Sequence, residues 1–408
     1  MPSNIKKCRN CNSKLLKNLF SLGSLKLTGK FPKKKEKIPY GNLSLVMCNS
    51  CKLIQLREIF DMKYLYNENY GYRTGINLTM KNHVKQVVKK LTKIVNLNAD
   101  EKVLDIASND GTLLNFYDKK IVKYGVDPIL NKYIKEYRNI NYKFPKFFDY
   151  KFILKNNPNV KFKIISALSV FYDLENPNIF LNGIRKLLDR NGIFYLEFQD
   201  LMLILKKNMF DTICHEHLEY YSVTFINKIL KKHKLKIYDH YYNNINGGSS
   251  AYLICHEKSD YKVKKNKINK IILNEKKFGI EKVKTYKNFK KKIDNLKIKI
   301  NLVIKKVNEK GKIVHGYAAS TKGNVLLQYL KLNDSKIKFI SDRNPKKTNL
   351  YTPGSNIRII SETMSRKMKP DYYLVLAWHF KKEILLREKF IRKKGTKFIF
   401  PLPNLEII

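Results

Sequence analysis

The sequence predicts an α/β protein in three parts: a small cysteine-bearing module followed by two Rossmann-like domains. Three observations predict this. Two Cys-x-x-Cys pairs stand before residue 60, strand and helix patterns alternate from residue 100 to 255, and a second alternation begins at Lys312. At 408 residues the chain exceeds the size at which one core keeps growing, so two or three domains are expected.

Composition narrows the class. Hydrophobic residues make up 43% of the chain, ample for globular cores. The opening MPSNIKKCRN lacks an apolar run, and no stretch of eighteen uninterrupted apolar residues occurs. A cytoplasmic, monomeric protein with no membrane partner is therefore expected. The formal charge of +48 invites a nucleic-acid reading. However, lysine is scattered along the whole chain beside abundant Asn, Ile and Tyr, as an AT-rich coding sequence would produce, so nucleic acid is not the expected partner. A positive field would still speed the arrival of a small anionic substrate.

The elements follow in order. Cys8, Cys11, Cys48 and Cys51 form two knuckles whose thiolates can close a tetrahedral zinc site, and four protein ligands leave no open position for chemistry. A tyrosine-rich stretch, Tyr64 to Gly75, is too irregular for a clean helix, whereas residues 78–97 read as helical. VLDIASNDG, from Val103 to Gly111, reads as a buried strand, a tight turn and then a helix from Thr112 to Leu114. That arrangement brings backbone N–H groups to a strand end, where nucleoside cofactors sit in open α/β sheets. Asp127 closes the next strand, and its carboxylate suits the paired hydroxyls of a ribose. The combination fits S-adenosylmethionine (SAM), with Ala107 and Asn109 where two glycines would be usual. Further strands are read in KIISAL, GIFYLEF and SAYLIC, then a lysine-rich amphipathic helix through Tyr286, Phe289, Ile293, Leu296, Ile300, Val303 and Val307. The last unit has strands at KIVHGYAA, KIKFISD and DYYLVLAW.

The densest chemistry lies in DTICHEHLEYYS, Asp211 to Ser222. In extended conformation His215 and His217 would face one way and Glu216 the other. A zinc-protease reading fails, because Glu219 stands four residues after His215. An imidazole beside a carboxylate suits proton abstraction, since histidine titrates near neutrality and a neighbour can fix its tautomer. NGGSS (Asn246 to Ser250) and GYAASTKGN (Gly316 to Asn324) could each cradle a phosphate, the second adding Lys322 as a point charge. Asp342 to Ile357 reads as a long functional loop.

Taken in this order, the CxxC pairs, SNDGTLL (Ser108 to Leu114), HEHLEYYS (His215 to Ser222), NGGS, KGN (Lys322 to Asn324), DRNP (Asp342 to Pro345), PGSNI (Pro353 to Ile357) and LAW (Leu376 to Trp378) resemble the sugar C-methyltransferase family. Those enzymes methylate C3 of nucleotide-linked 4-keto-6-deoxyhexoses. The resemblance implies a zinc module over residues 1–75, a class I SAM methyltransferase domain over 76–258 and a linker helix with a substrate-binding α/β domain over 259–408. It implies His217 as general base, oriented by Glu216 and supported by His215, with Tyr70 or Tyr72 donating to the enolate. SAM contacts are expected from Asp105, Ala107, Ser108, Asn109, Asp110 and Gly111, from Asp127 and Pro128, and from Leu168 and Ser169. Contacts to a nucleotide-diphosphate sugar are expected from Cys214, Asp173, Asn246, Gly247, Lys322 and Asn324. The chain departs from the family where Cys214 replaces a tyrosine before HEH, where Ser169 and Asp173 replace Asn and His, and around Ala251 where an arginine is usual. These departures keep a sugar O-methyltransferase open as a rival, and zinc, SAM and basicity together keep an RNA methyltransferase as a weaker one.

Overall fold

The structure is a computed structural model that describes residues 3–34, 36–60, 65 and 71–408. Both cysteine knuckles end on a residue in the left-handed region, Asn12 at φ 60° and Lys52 at φ 65°. There Asn12 N–H donates to the Cys8 carbonyl at 3.0 Å and Lys52 N–H to that of Cys48 at 2.9 Å. The strands Leu16–Lys26, Tyr40–Cys48 and Ile54–Leu56 pair antiparallel behind them. A fourth strand of this sheet, Glu219–Tyr220, comes from the far end of the next domain and pairs with Ile54–Leu56. The HEH segment is thus bound into the sheet of the cysteine module.

The helix expected at residues 78–97 spans Leu78–Val95, capped by the Asn77 side chain and ended by Asn96 in the left-handed region. It covers a seven-stranded sheet. Numbering that domain's strands along the chain, from Lys102–Ile106 to Ser249–His256, the sheet order is 3-2-1-4-5-7-6, with only the seventh strand antiparallel to both neighbours. The helix expected after SNDG is not there: Leu114–Phe116 makes a 3-10 turn. A five-residue strand is about 17 Å long and needs about eleven helical residues to run back along it. The stretch from Gly111 to the next strand at Val122 is too short for such a helix and its loops.

The amphipathic linker is the helix Val283–Glu309, which buries Tyr286, Phe289, Ile293, Leu296, Ile300, Ile304 and Val307 and leaves its lysines outward. The last six strands form one sheet whose order, counted within the domain, is 3-2-1-4-5-6, parallel except for the final pairing. That is a Rossmann-like order with its crevice between the first and fourth strands. Leucines of the module's strands (Leu19, Leu43, Leu45), the 201–214 segment and the C-terminal sheet share one continuous core. The methyltransferase sheet has a core on each face, one of which also takes in Cys8, Cys48 and Leu53 of the module. Among the described residues, no helix is long and apolar enough to cross a membrane.

Candidate active site

The four cysteine sulfurs lie within 4.8 Å of one another, with Cys8 and Cys51 3.6 Å apart and Cys11 and Cys48 3.5 Å apart. Tetrahedral zinc with bonds of about 2.3 Å requires sulfurs about 3.8 Å apart, so the set fits zinc. Gln55 Nε2 donates to Cys8 Sγ at 3.2 Å, an outer hydrogen bond of the kind that orients a metal thiolate. None of the four lines the main cleft.

That cleft, about 700 Å³, lies where the three parts of the chain meet. Its methyltransferase wall begins at the turn after Lys102–Ile106. Ala107 (φ 58°) and Asn109 (φ 52°) hold the left-handed backbone that glycine usually supplies, so the eroded motif keeps its shape. Asp127 accepts the N–H of Asn109 at 2.9 Å and of Ile129 at 2.8 Å. Burial pushes its carboxyl up to about 6, against the pull of those two N–H groups. Asp105, receiving Ser166 Oγ at 2.6 Å, is pushed by burial up to about 7. Ser108, Pro128, Leu168 and Ser169 complete this wall.

The floor carries His217. Its Nδ1 donates to the Thr212 carbonyl at 2.7 Å, which fixes the proton on Nδ1 because a carbonyl can only accept. Among the described residues no hydrogen bond reaches Nε2, and His217 lines the cleft. Burial, aided by the Lys322 charge, lowers the imidazole to about 3, so it stays neutral across physiological pH. Tyr172 packs on the ring at 4.2 Å between centroids.

The opposite wall is basic. Ser320 caps the helix Thr321–Leu330, its Oγ accepting Gly323 N–H at 3.0 Å. Lys322 Nζ donates to the Asn246 carbonyl at 3.0 Å, and Lys347 Nζ to the Ala319 carbonyl at 2.7 Å while lying 4.5 Å over the Phe31 ring. Burial lowers both ammonium groups. Both donate to carbonyls rather than carboxylates, with Asp211 acting on Lys322 and Asp342 on Lys347 through space, so each keeps N–H donors for an anion in the cleft.

Three family models match the chain in succession: a zinc binding domain over residues 8–66, a methyltransferase domain over 78–240 and a C-methyltransferase C-terminal domain over 244–403. The chain belongs to the SAM-dependent C-methyltransferases of this three-domain type. Consistent with this, the C-methyltransferase NovU of Streptomyces niveus is 28% identical over 99% of this chain and 97% of its own. Two solved methyltransferases are similar to part of the chain: a SAM-dependent enzyme of Clostridium acetobutylicum (16% identity, 43% of this chain, 92% of that one, TM-score 0.35) and magnesium protoporphyrin IX methyltransferase of Synechocystis with bound SAH (17%, 46%, 90%, TM-score 0.35). Likenesses of this size speak to neither substrate nor residue roles.

In this C-methyltransferase the structure relocates several expected site residues. His215 and His217 do not share a face, because a turn at Cys214–His217 (His217 N–H to Cys214 carbonyl, 3.2 Å) separates them. His215 is buried against the zinc module, donating from Nε2 to the Leu25 carbonyl at 3.2 Å and packing edge-on to Phe60. Glu216 does not orient His217; Thr212 does. The Glu216 carboxyl lines the cleft but lies against Gly29, Thr28 and Cys214, where burial raises it. Asp110 turns from the cleft to receive Arg73 Nε at 3.0 Å and Gly75 N–H at 2.9 Å, fastening the end of the tyrosine-rich stretch. Gly111 lies against Tyr137 and Ile140 with φ at 70°, a backbone conformation that disfavours a side chain. Gly247 lies under Trp378, and the Gly247 and Gly248 amides donate to Asn244 and Ile245, so NGGSS offers no phosphate cradle. Asn324 is buried outside the cleft and donates to the Thr28 carbonyl at 2.7 Å.

The cleft does gather Tyr72, Asp173, Cys214, Asn246 and Lys322 around His217. Tyr70 lies outside the described residues. Sequence reasoning missed Gln199, Thr212, Tyr172 and Lys347. Gln199 and Lys347 left a trace, as a polar end to an apolar strand and as part of the DRNPKK loop. Thr212 acts through its carbonyl, which no side-chain pattern encodes.

Proposed function

We propose that this C-methyltransferase methylates the carbon beside a ketone on a nucleotide-linked sugar, with C3 of a 4-keto-6-deoxyhexose the favoured acceptor. The observation that carries the reading is the tautomer of His217: an Nδ1 proton held by Thr212 and, among the described residues, no hydrogen bond at Nε2, on a ring that lines a cleft with an acidic wall on one side and two lysines on the other. A C–H bond next to a ketone is acidic enough for an enzymic base, provided the enolate is stabilised away from bulk water. Nε2 takes the proton, and the C–H electron pair remains on the sugar as the enolate. Tyr72 or Tyr70 donates to the enolate oxygen, while Asp173, Cys214 and Ser169 border the acceptor. Lys322 and Lys347 hold the diphosphate, whose arrival offsets the Lys322 charge that depresses the imidazole and so strengthens the base. SAM, when bound, supplies an electrophilic methyl, and Asp127 grips its ribose.

Mass spectrometry of products from a panel of keto and non-keto nucleotide sugars tests this. Methyl should appear on carbon, with the keto sugars alone. His217→Ala should lose about 10²–10⁴-fold in turnover while binding SAM and sugar nearly normally. Wild-type rates in that variant, or equal methylation of non-keto sugars, would remove the reading.

A further inference from the structure

A continuous hydrogen-bonded path joins the basic wall to the base. Lys322 Nζ donates to the Asn246 carbonyl at 3.0 Å, and Gln199 Nε2 donates to the same oxygen at 3.1 Å. Thr212 Oγ1 donates to Gln199 Oε1 at 2.6 Å, and the Thr212 carbonyl accepts His217 Nδ1 at 2.7 Å. Asn246, at φ 54°, is in the left-handed region. Gln199 ends the strand Leu188–Gln199 and is 4% exposed. Its amide can sit one way only, since Nε2 meets a carbonyl that cannot donate, leaving Oε1 for the threonine hydroxyl.

We infer that Gln199 is a positioning residue that, through Thr212, sets the orientation and tautomer of His217 from the wall that holds the substrate anion. The inference rests on the reading of His217 as base and Lys322 as anion holder. Lys322 has three N–H donors, and one serves Asn246, so it can take a phosphate oxygen without releasing the path. Leucine at 199 would leave both the Asn246 carbonyl and the Thr212 hydroxyl without that partner. The Thr212 side chain would then lose its anchor, leaving the 3-10 turn Phe210–Thr212 alone to hold the carbonyl that accepts His217 Nδ1. Misplacing a base by about 1 Å is enough to cost about 10²-fold in rate.

The test is a double-mutant cycle on Gln199→Leu and Thr212→Val, assayed with SAM and the keto nucleotide sugar the wild type turns over best. Each single variant should lose about 10–100-fold in kcat, with sugar KM and SAM affinity within about threefold, and the double variant should be no worse than the poorer single. Gln199→Glu, which keeps the acceptor for Thr212 and loses the donor to Asn246, should fall between Gln199→Leu and wild type. Wild-type kcat in either single, losses that multiply in the double, or a loss confined to KM would each overturn the relay. Thr212→Val exchanges a hydroxyl for a methyl and carries the test if Gln199→Leu does not fold. His217→Ala is run alongside: wild-type turnover there sinks the base assignment, whereas an inactive His217→Ala beside a fully active Gln199→Leu sinks the relay alone.

Discussion

Asp127 ends the second strand of the methyltransferase domain and accepts backbone N–H groups from Asn109 at 2.9 Å and Ile129 at 2.8 Å. Asp342 ends the second strand of the C-terminal domain and does the same for Ala319 at 2.7 Å and Asn344 at 2.8 Å. In both, one donor lies in the turn after the first strand and the other two residues past the acid. The two Rossmann-like halves thus share one way of fixing a strand-end turn, and they part in what the turn presents. After Asp105 the chain makes only a 3-10 turn and shows the cleft buried acids. After Tyr317 it makes a capped helix, Thr321–Leu330, and shows the cleft Lys322, with Lys347 beside it. On the proposed reading, the same frame serves a cationic methyl donor on one side and an anionic acceptor on the other.

The largest expected effect tests whether the zinc module underlies both halves. Cys48→Ser should abolish binding of about one zinc per chain and leave little folded protein, since structural zinc contributes about 10–16 kcal/mol in small modules. Metal analysis and circular dichroism decide it, and a folded, active, metal-free variant would detach the module from the comparison. Next come paired single substitutions. Lys322→Met should raise sugar KM by about 10–100-fold with SAM affinity unchanged, whereas Asp127→Ala should weaken SAM at least about tenfold with little change for the sugar, as loss of a charge-assisted hydrogen bond of about 1.5–3 kcal/mol implies. Calorimetry showing the opposite pairing would reverse the assignment of walls.

A pH series sharpens the contrast further. Asp127, raised to about 6, becomes neutral as pH falls through that value, so SAM affinity should drop below pH 6. His217, lowered to about 3 in the sugar-free protein, is a neutral base there, so kcat/KM for the sugar at saturating SAM should show no acid limb at histidine's ordinary 6.5. For the free protein the sign is opposite: Asp127 takes up its proton near 6 when folded but near 3.9 when unfolded, so between those values it adds stability as pH falls. The smallest effect is expected from Asp342→Ala, about 1–3 kcal/mol of stability from two N–H groups left without their acceptor, with SAM affinity untouched.

The three-part architecture was legible because cysteine spacing and strand alternation are local signals. The helix Leu78–Val95 and the core face of Val283–Glu309 follow from period alone. The site was legible where a side chain itself faces the cleft, as with Asp127, Lys322 and His217. It was illegible where the turn at Cys214–His217 broke the alternation assumed for HEH, sending His215 and Glu216 toward the zinc module. It was also illegible where a main-chain carbonyl does the orienting, as at Thr212 and Asn246, because every residue type carries one. The family resemblance supplied the proposed reaction, but it could not show that Asp110, Gly247 and Asn324 bond to other parts of the chain.

The strand Glu219–Tyr220 has a consequence for biosynthesis. Zinc can gather the four cysteines as soon as residue 51 has emerged, yet the outer side of Ile54–Leu56, which pairs inward with Tyr40–Cys48, stays open until the histidine loop is made. Lys26 N–H and Gln328 Oε1, at 2.8 Å in the finished fold, lie 302 residues apart in sequence. At about 5–20 residues per second, the nascent module waits many seconds with an open sheet edge and its leucines uncovered. The base therefore reaches its place in the same event that closes that edge, and a chain arrested before residue 220 would display a metal-bound but adhesive N-terminus.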